Sequence, residues 1–386
     1  MGKLDETQAI LNDLIGFETV SVDSNLAMID YLANRLEAAG ARVELFQDET
    51  GEKANLFATL GPDADGGLVL SGHTDVVPVA EQLWTSDPFK MVARNGKLFG
   101  RGTCDMKGFI AAALAMAPAF AQRVNDRPLH FAFTYDEETG CIGGRALVQA
   151  LQDKGVKPGI AVIGEPTSMR IVDGHKGCFE YTTRFQGLAG HGSAPDRGVN
   201  AVEYAVRYVS HLLELREQLK KRAPKDSQFD PPWTTINTGG LNGGVAHNVI
   251  ASQATVDWEM RPVQDSDADF VKRELRRFVD DHLLPAMREV SAEASITTDV
   301  IGEVVGLFPA SENEIRQILM ELTGANGAHL VPFGTEAGLF QGMGMDVVVC
   351  GPGSIEQAHK ADEFVAIDQL DQCLTMLDSL GTRLAV

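Results

Sequence analysis

The sequence predicts an α/β fold: a sheet flanked by helices on both faces, interrupted by a smaller βαββαβ module of ferredoxin-like type. Three observations carry that prediction. Apolar β-type runs alternate with amphipathic helical stretches through the first part of the chain. Period-two alternation takes over near residue 178 and closes near 302. The first pattern then resumes. A chain of 386 residues also exceeds one ordinary core, so two domains are expected. Residues 1–178 and 303–386 form one of them in two pieces, and 179–302 is the insert.

The elements follow in order. Two amphipathic helices open the chain, near 4–16 and 24–40. β-type runs come at RVELFQ (42–47), NLFATLG (55–61) and GLVLSGHTD (67–75). A helix starts after Asp105, where a Gly-rich loop meets an Ala-rich stretch. HFAFTYDEE (130–138), a helix from about 143, and GIAVIGEP (159–166) continue the alternation. In the insert, CFEYTTRFQG (178–187) alternates as a half-buried strand. A helix from Asn200 to about Lys220, strands in WTTINTGGLNGG (233–244) and AHNVIASQATVDWEMRP (246–262), one helix over 266–288 and a strand in ASITTDVIGE (294–303) complete it. DVVVCGPG (346–353) is another buried strand, and a helix near 367–384 ends the chain. KKRAPKDSQFDPP (220–232) reads as an exposed loop.

Bulk properties exclude several classes of function. Net charge is −21, and no basic cluster with interleaved aromatics is present, so nucleic acid is not an expected partner. No apolar stretch is long enough to span a membrane, so none is expected. MGKLDETQAILNDLIGF reads as a first helix and not a signal peptide. The five cysteines (104, 141, 178, 350, 373) never form CxxC, which favours reduced thiols and a cytoplasmic location.

Three apolar runs end in metal-seeking groups. LVLSGHTD ends with His73 and Asp75, FAFTYDEE with Glu137 and Glu138, and IAVIGEP with Glu165. Ligands bind at the carboxyl ends of strands in open α/β sheets, so these side chains converge. Asp105 in GRGTCDMKG and His359 in GPGSIEQAHKADE stand at comparable loops. The adjacent acids of YDEETG (135–140) repel one another, and two divalent cations offset that repulsion. Imidazole and carboxylate donors suit zinc, with cobalt or manganese as alternatives. No HExxH motif is present, so a single-zinc protease is not expected.

Each residue taken alone has an ordinary explanation. A strand histidine is usually structural, paired glutamates usually form a solvated turn, and Asp105 suits a helix N-cap. The coincidence at three strand ends favours a metal site. His130, His211, His282 and His329 keep the ordinary reading, Cys104 is read as a packing residue, and GPGS (351–354) matches an anion nest only loosely.

SGHTDVVP, GRGTCDMKG, DEETG, GEPT, GHGSAPDRGVNA and GPGS followed by QAH, in that order over nearly the whole chain, resemble the dinuclear-zinc aminoacylase and carboxypeptidase family of metallohydrolases. The resemblance implies a zinc-exopeptidase-like catalytic domain with a mixed sheet, and a lid and dimerisation role for the insert. It implies two metal ions per chain. His73 and Glu165 would bind one, Glu138 and His359 the other, and Asp105 would bridge. Asp75 would accept the second ring N–H of His73, and Glu137 would be the general base. His191 and Asn248 in the insert match positions that reach the substrate in relatives. Arg261 matches a substrate-carboxylate clamp, for which a guanidinium fork is well suited. Gly334, Thr335 and Glu336 complete the expected substrate contacts; FGTEAGLF places Glu336 at the start of an apparent helix, where it either complements the helix dipole or partners a cationic substrate group. The Asp105–Met106 peptide is expected to be cis. The implied chemistry is metal-dependent amide hydrolysis of a small N-acyl amino acid by a homodimer. GTEA (334–337) stands where the family's desuccinylases carry GTSD, which separates the branches.

Overall fold

A computed structural model describes residues 2–383; residue 384, included in the expected last helix, lies outside them. The chain divides into two compact units. One comprises residues up to Gly174, Pro309–Leu330 and Thr335 onward. The other comprises His175–Phe308 with Val331–Gly334, and so extends past 179–302 on both sides.

The first unit is built on an eight-stranded mixed sheet. Its order is Arg42–Gln47, Ala54–Leu60, Leu129–Thr134, Gly67–His73, Pro158–Pro166, Asp346–Gly351, Val172–His175, His329–Val331. The central four strands are parallel, and antiparallel partners lie outside them. Gly67–His73 and Leu129–Thr134 are buried throughout, which explains why they read as continuous apolar runs. Alternate side chains leave opposite faces. A Cβ on Gly72 would meet Met106 and Ile110, and one on Gly164 would fall 1.9 Å from Phe109. That face is covered by the helix Lys107–Ala121, which also packs on Lys3–Ile15 and Ile367–Arg383. Ser71, His73 and Glu165 therefore leave the other face.

The second unit has the order βαββαβ. Its antiparallel sheet runs Thr235–Gly243, Gln253–Arg261, Cys178–Gln186, Ser295–Val304, so the first and third strands in sequence are central. The helices Ala201–Lys221 and Asp265–Phe278 share its core, which includes Phe179, Phe185, Tyr208, Leu212, Val256 and Val271. The expected single helix over 266–288 is interrupted. A π-turn at Val279–Leu283 separates Asp265–Phe278 from Leu284–Arg288. Pro285 has no N–H to continue the ladder, and the wider turn takes up the break. Among the described residues, no helix is long and apolar enough to cross a membrane.

Candidate metal centre

Parallel strand ends bring the first donors together. His73 is the last residue of its strand and stands in register with Thr134. Glu137 and Glu138 follow Thr134 after a turn, and Glu165 lies near the end of Pro158–Pro166. Asp105 and His359 arrive on turns. The Asp105–Met106 peptide is cis, and His359 has a left-handed backbone with φ 61°.

Asp105 faces two ways. Its Oδ1 lies 3.0 Å from His73 Nε2, and its Oδ2 lies 3.3 Å from His359 Nε2. Glu165 Oε1 is 3.7 Å from His73 Nε2. Glu138 Oε2 is 3.1 Å from His359 Nε2. Five donors thus form two pockets that share one carboxylate. Donor atoms of His73, Asp105 and Glu138 lie within 4.8 Å of one another, as do those of His73, Glu137 and Glu165.

The chemistry of this set fits a pair of cations. Glu165 Oε1 is buried and has no hydrogen-bond partner among the described residues, a costly state for a carboxylate oxygen. Burial pushes Glu138 up and Glu165 well up, with the Asp105 charge adding to both. Burial works against the charged form of His73, but Glu165 and hydrogen bonds with Asp105 and Asp75 outweigh it and raise that ring. His359 is pushed up to about 10 by hydrogen bonds with Asp105 and Glu138. Histidines drawn toward their charged form are the response of acids that need a counter-cation.

The three acids of YDEETG separate. Asp136, with φ 52°, turns back to Lys53 Nζ at 2.5 and 2.7 Å. Glu138 faces His359. Glu137 is pushed well above its usual range, first by burial, and accepts a 3.5 Å contact from the Cys141 thiol. Asp75 fixes this turn. Its carboxylate accepts the N–H groups of Glu137 and Glu138 at 3.0 and 3.3 Å and the Ser21 hydroxyl at 2.7 Å. His73 Nδ1 lies 2.9 Å from the Asp75 carbonyl and 3.5 Å from its carboxylate, so the main chain is the nearer acceptor. Ser21, Lys53 and Cys141 were not among the residues singled out from the sequence. Each acts through a hydrogen bond across the fold, and neither spacing nor period announces it.

Other expectations are met differently. Glu336 is 1% exposed, and its two oxygens accept the hydroxyls of Ser71 at 2.6 Å and Thr134 at 2.9 Å. It lies beneath the strand ends and is not displayed for a substrate ammonium, which corrects that expectation. Thr335 is also fully buried, and its Oγ1 accepts the Ala337 N–H at 3.0 Å. The Cys104 thiol donates to Ser354 O at 3.2 Å and is pushed well up by burial, as suits a packing residue. In GPGS the Gly353 N–H is taken by Gln369 Oε1 at 2.6 Å.

Within the second unit, His191 and Asn248 are neighbours. Gly190–His191 pairs with Val249–Ile250, and Gly192 N donates to Asn248 O at 2.7 Å. His191 is exposed, with Nδ1 2.7 Å from Ser193 Oγ. Arg261 is half-buried and donates from Nε and Nη2 to Glu259 at 3.0 and 2.7 Å. Gly334 belongs to this unit.

Residues 69–382 match the model of the family described as Peptidase family M20/M25/M40. The chain belongs to that family. As an M20/M25/M40 member it is a metal-dependent amidohydrolase, and the structure gathers a cluster of His, Asp and Glu side chains able to hold metal. Among curated relatives, the acetylornithine deacetylase of Pasteurella multocida is 34% identical over 92% of this chain and 91% of its own length. That of Proteus mirabilis is 37% identical over 89% and 86%. Among solved structures, an M20 family metallo-carboxypeptidase from Sulfolobus solfataricus superposes with TM-score 0.76 at 17% identity, covering 99% of both chains. A dinuclear metal-binding M20 peptidase from Bacillus subtilis gives 0.64 at 16% identity over 99% and 98%. At these identities the structures speak for the fold alone.

Proposed function

We propose that the chain hydrolyses N2-acetyl-L-ornithine to L-ornithine and acetate, serving arginine biosynthesis in the cytoplasm. The observation that carries this is a cluster of His, Asp and Glu side chains able to hold metal, in a chain similar over about nine-tenths of its length to curated acetylornithine deacetylases. GEPTSMRIVDGHKG, FGTEAGLFQ and GPGSIEQAHKADEF are the stretches that favour this branch.

In this reading His73 and Glu165 would hold one ion, Glu138 and His359 would hold the other, and Asp105 would serve both. Divalent ions there, zinc first and cobalt or manganese as alternatives, would supply a lowered pKa for water and polarisation of an amide carbonyl. Glu137 takes the proton of the attacking water. Its burial raises its proton affinity, the direction that favours a base that must also act as an acid. The same carboxyl then delivers the proton to the departing amine. Asp75 orients His73 and keeps the Glu137–Glu138 turn in place. His191 stabilises the developing oxyanion. Asn248, Arg261 and Gly334 contribute to substrate binding, with Arg261 as carboxylate clamp, and buried Thr335 shapes the loop after Gly334. The molecule works as a homodimer through its inserted unit.

A panel of N-acyl amino acids, assayed with and without chelator, tests the assignment. Chelator-sensitive acetate release, fastest from acetylornithine, is expected. Preference for an N-succinyl diamino acid or an uncharged acyl amino acid would move the chain to another amidohydrolase of the family. Activity untouched by chelator would remove the metal mechanism itself.

A further inference from the structure

His359 is the least protected of the five donors. Its side chain is 52% exposed, it lies on a turn, and its backbone is left-handed. A non-glycine residue holds that conformation only where its surroundings impose it. The support comes from a polar chain outside the metal centre. Gln82 Nε2 donates to His359 O at 3.0 Å. Gln82 Oε1 accepts from Arg101 Nη2 at 2.6 Å. Arg101 Nη1 donates to Glu363 Oε2 at 2.6 Å and to Lys360 O at 3.4 Å. Glu363 Oε1 accepts the N–H of Cys104 at 2.9 Å and of Asp105 at 3.1 Å. The chain of bonds begins on the carbonyl of one donor and ends on the amide of another.

Arg101 and Glu363 are each 1% exposed. A buried ion pair is poor evidence of stabilisation, because desolvation offsets most of the attraction. Its bonds here instead join segments far apart in sequence. The guanidinium reaches Gln82, Glu363 and Lys360 O at once, and Trp84 lies with its ring 5.0 Å from the guanidinium carbon. An ammonium has neither the plane nor the fork to do this.

We propose that Arg101, with Glu363 and Gln82, positions His359 against Asp105 and so sets the shape of the Glu138–His359 pocket. These are positioning residues, since none touches the reacting atoms. The proposal rests on the reading of His359 and Asp105 as donors to one ion.

The test follows zinc leaving each pocket. Full-length wild type, Gln82→Ala, Gln82→Glu, Arg101→Lys and Glu363→Gln are loaded with zinc, and release to a chromophoric chelator is timed. His359→Ala identifies which phase belongs to the Glu138–His359 pocket. Release from that pocket should accelerate about tenfold in Gln82→Ala with the other phase unchanged, and up to about a hundredfold in Arg101→Lys with a smaller effect on the other phase through the shared Asp105. Gln82→Glu keeps an acceptor for Arg101 but cannot donate to His359 O, so it should behave as Gln82→Ala. If Arg101→Lys does not fold, the two variants at half-buried Gln82 still decide. Wild-type release in both phases, or equal acceleration of both, overturns the proposal. A wild-type chain that takes up fewer than two zinc ions overturns the reading beneath it, and the proposal with it.

Discussion

Glu137 and Glu138 are chain neighbours whose carboxylates meet different partners. Glu138 reaches His359, while Glu137 stays beside Cys141. Glu137→Gln should therefore abolish turnover and leave two metal ions per chain, whereas Glu138→Gln should lose or weaken one. Elemental analysis of chelator-free preparations checks both; a Glu137→Gln protein with one ion would reverse the roles. Glu336 gives a second prediction at this scale. Its carboxylate ties Ser71 to Thr134, one hydroxyl from each of two adjacent strands. Glu336→Gln should reduce activity equally on acetylornithine and acetylmethionine. It should also lower stability by about 1–3 kcal/mol in a urea titration, the usual range for a disturbed buried hydrogen bond. A rise in KM confined to acetylornithine would restore a substrate-contacting role.

Among the elements, the buried parallel strands were the most legible. Gly67–His73 and Leu129–Thr134 bury every residue, so each appears in sequence as an unbroken apolar run with its chemistry at the end. That is why His73, Glu137, Glu138 and Glu165 could be picked out. Asp105 and His359 sit on turns and were candidates only by their loops, and the ligand roles of all five came from the resemblance. Gln82, Arg101 and Glu363 went unseen because their bonds depend on how three loops meet. His130 is the second residue of its strand, stacked on Phe57, with Nδ1 2.9 Å from Thr59 Oγ1. Burial, and then the Arg42 charge, push it down to about 4. The unfolded chain takes up a proton near pH 6.5, but the folded strand resists it down to about 4. This histidine thus favours folding above pH 6.5, and that contribution is lost as pH falls toward 4. The loss approaches about 1.4 kcal/mol per pH unit within the window. Urea midpoints between pH 7 and 5 should fall less steeply for His130→Gln than for wild type. Parallel pH profiles would show that His130 charges freely in the folded strand.

At the scale of the whole molecule, complementation decides whether His191 would serve its own chain's centre or that of a dimer partner. Inactive His191→Ala and His359→Ala chains are mixed and allowed to re-pair. If His191 acts in trans, each mixed dimer holds one intact site and one doubly damaged site. Random symmetric pairing makes half the dimers mixed, so about a quarter of wild-type activity should return. No recovery, with subunit exchange confirmed by mass, would leave His191 serving its own chain. The single variant should lose on the order of 10²–10³ in kcat, the usual range for one oxyanion donor.

The second unit closes on itself where the chain crosses into and out of it. His175 N donates to Leu307 O at 2.9 Å, and these residues, the first and the last but one of His175–Phe308, form an antiparallel bridge. Crossing points that touch make a module portable. From the standpoint of gene history, a segment of this kind can be acquired, lost or lengthened without changing the span that the host must close. Selection can then work on the insert's surface while the five donors, all outside it, stay fixed in their own frame. Change on the insert's surface should therefore leave the spacing of the five donors unaltered.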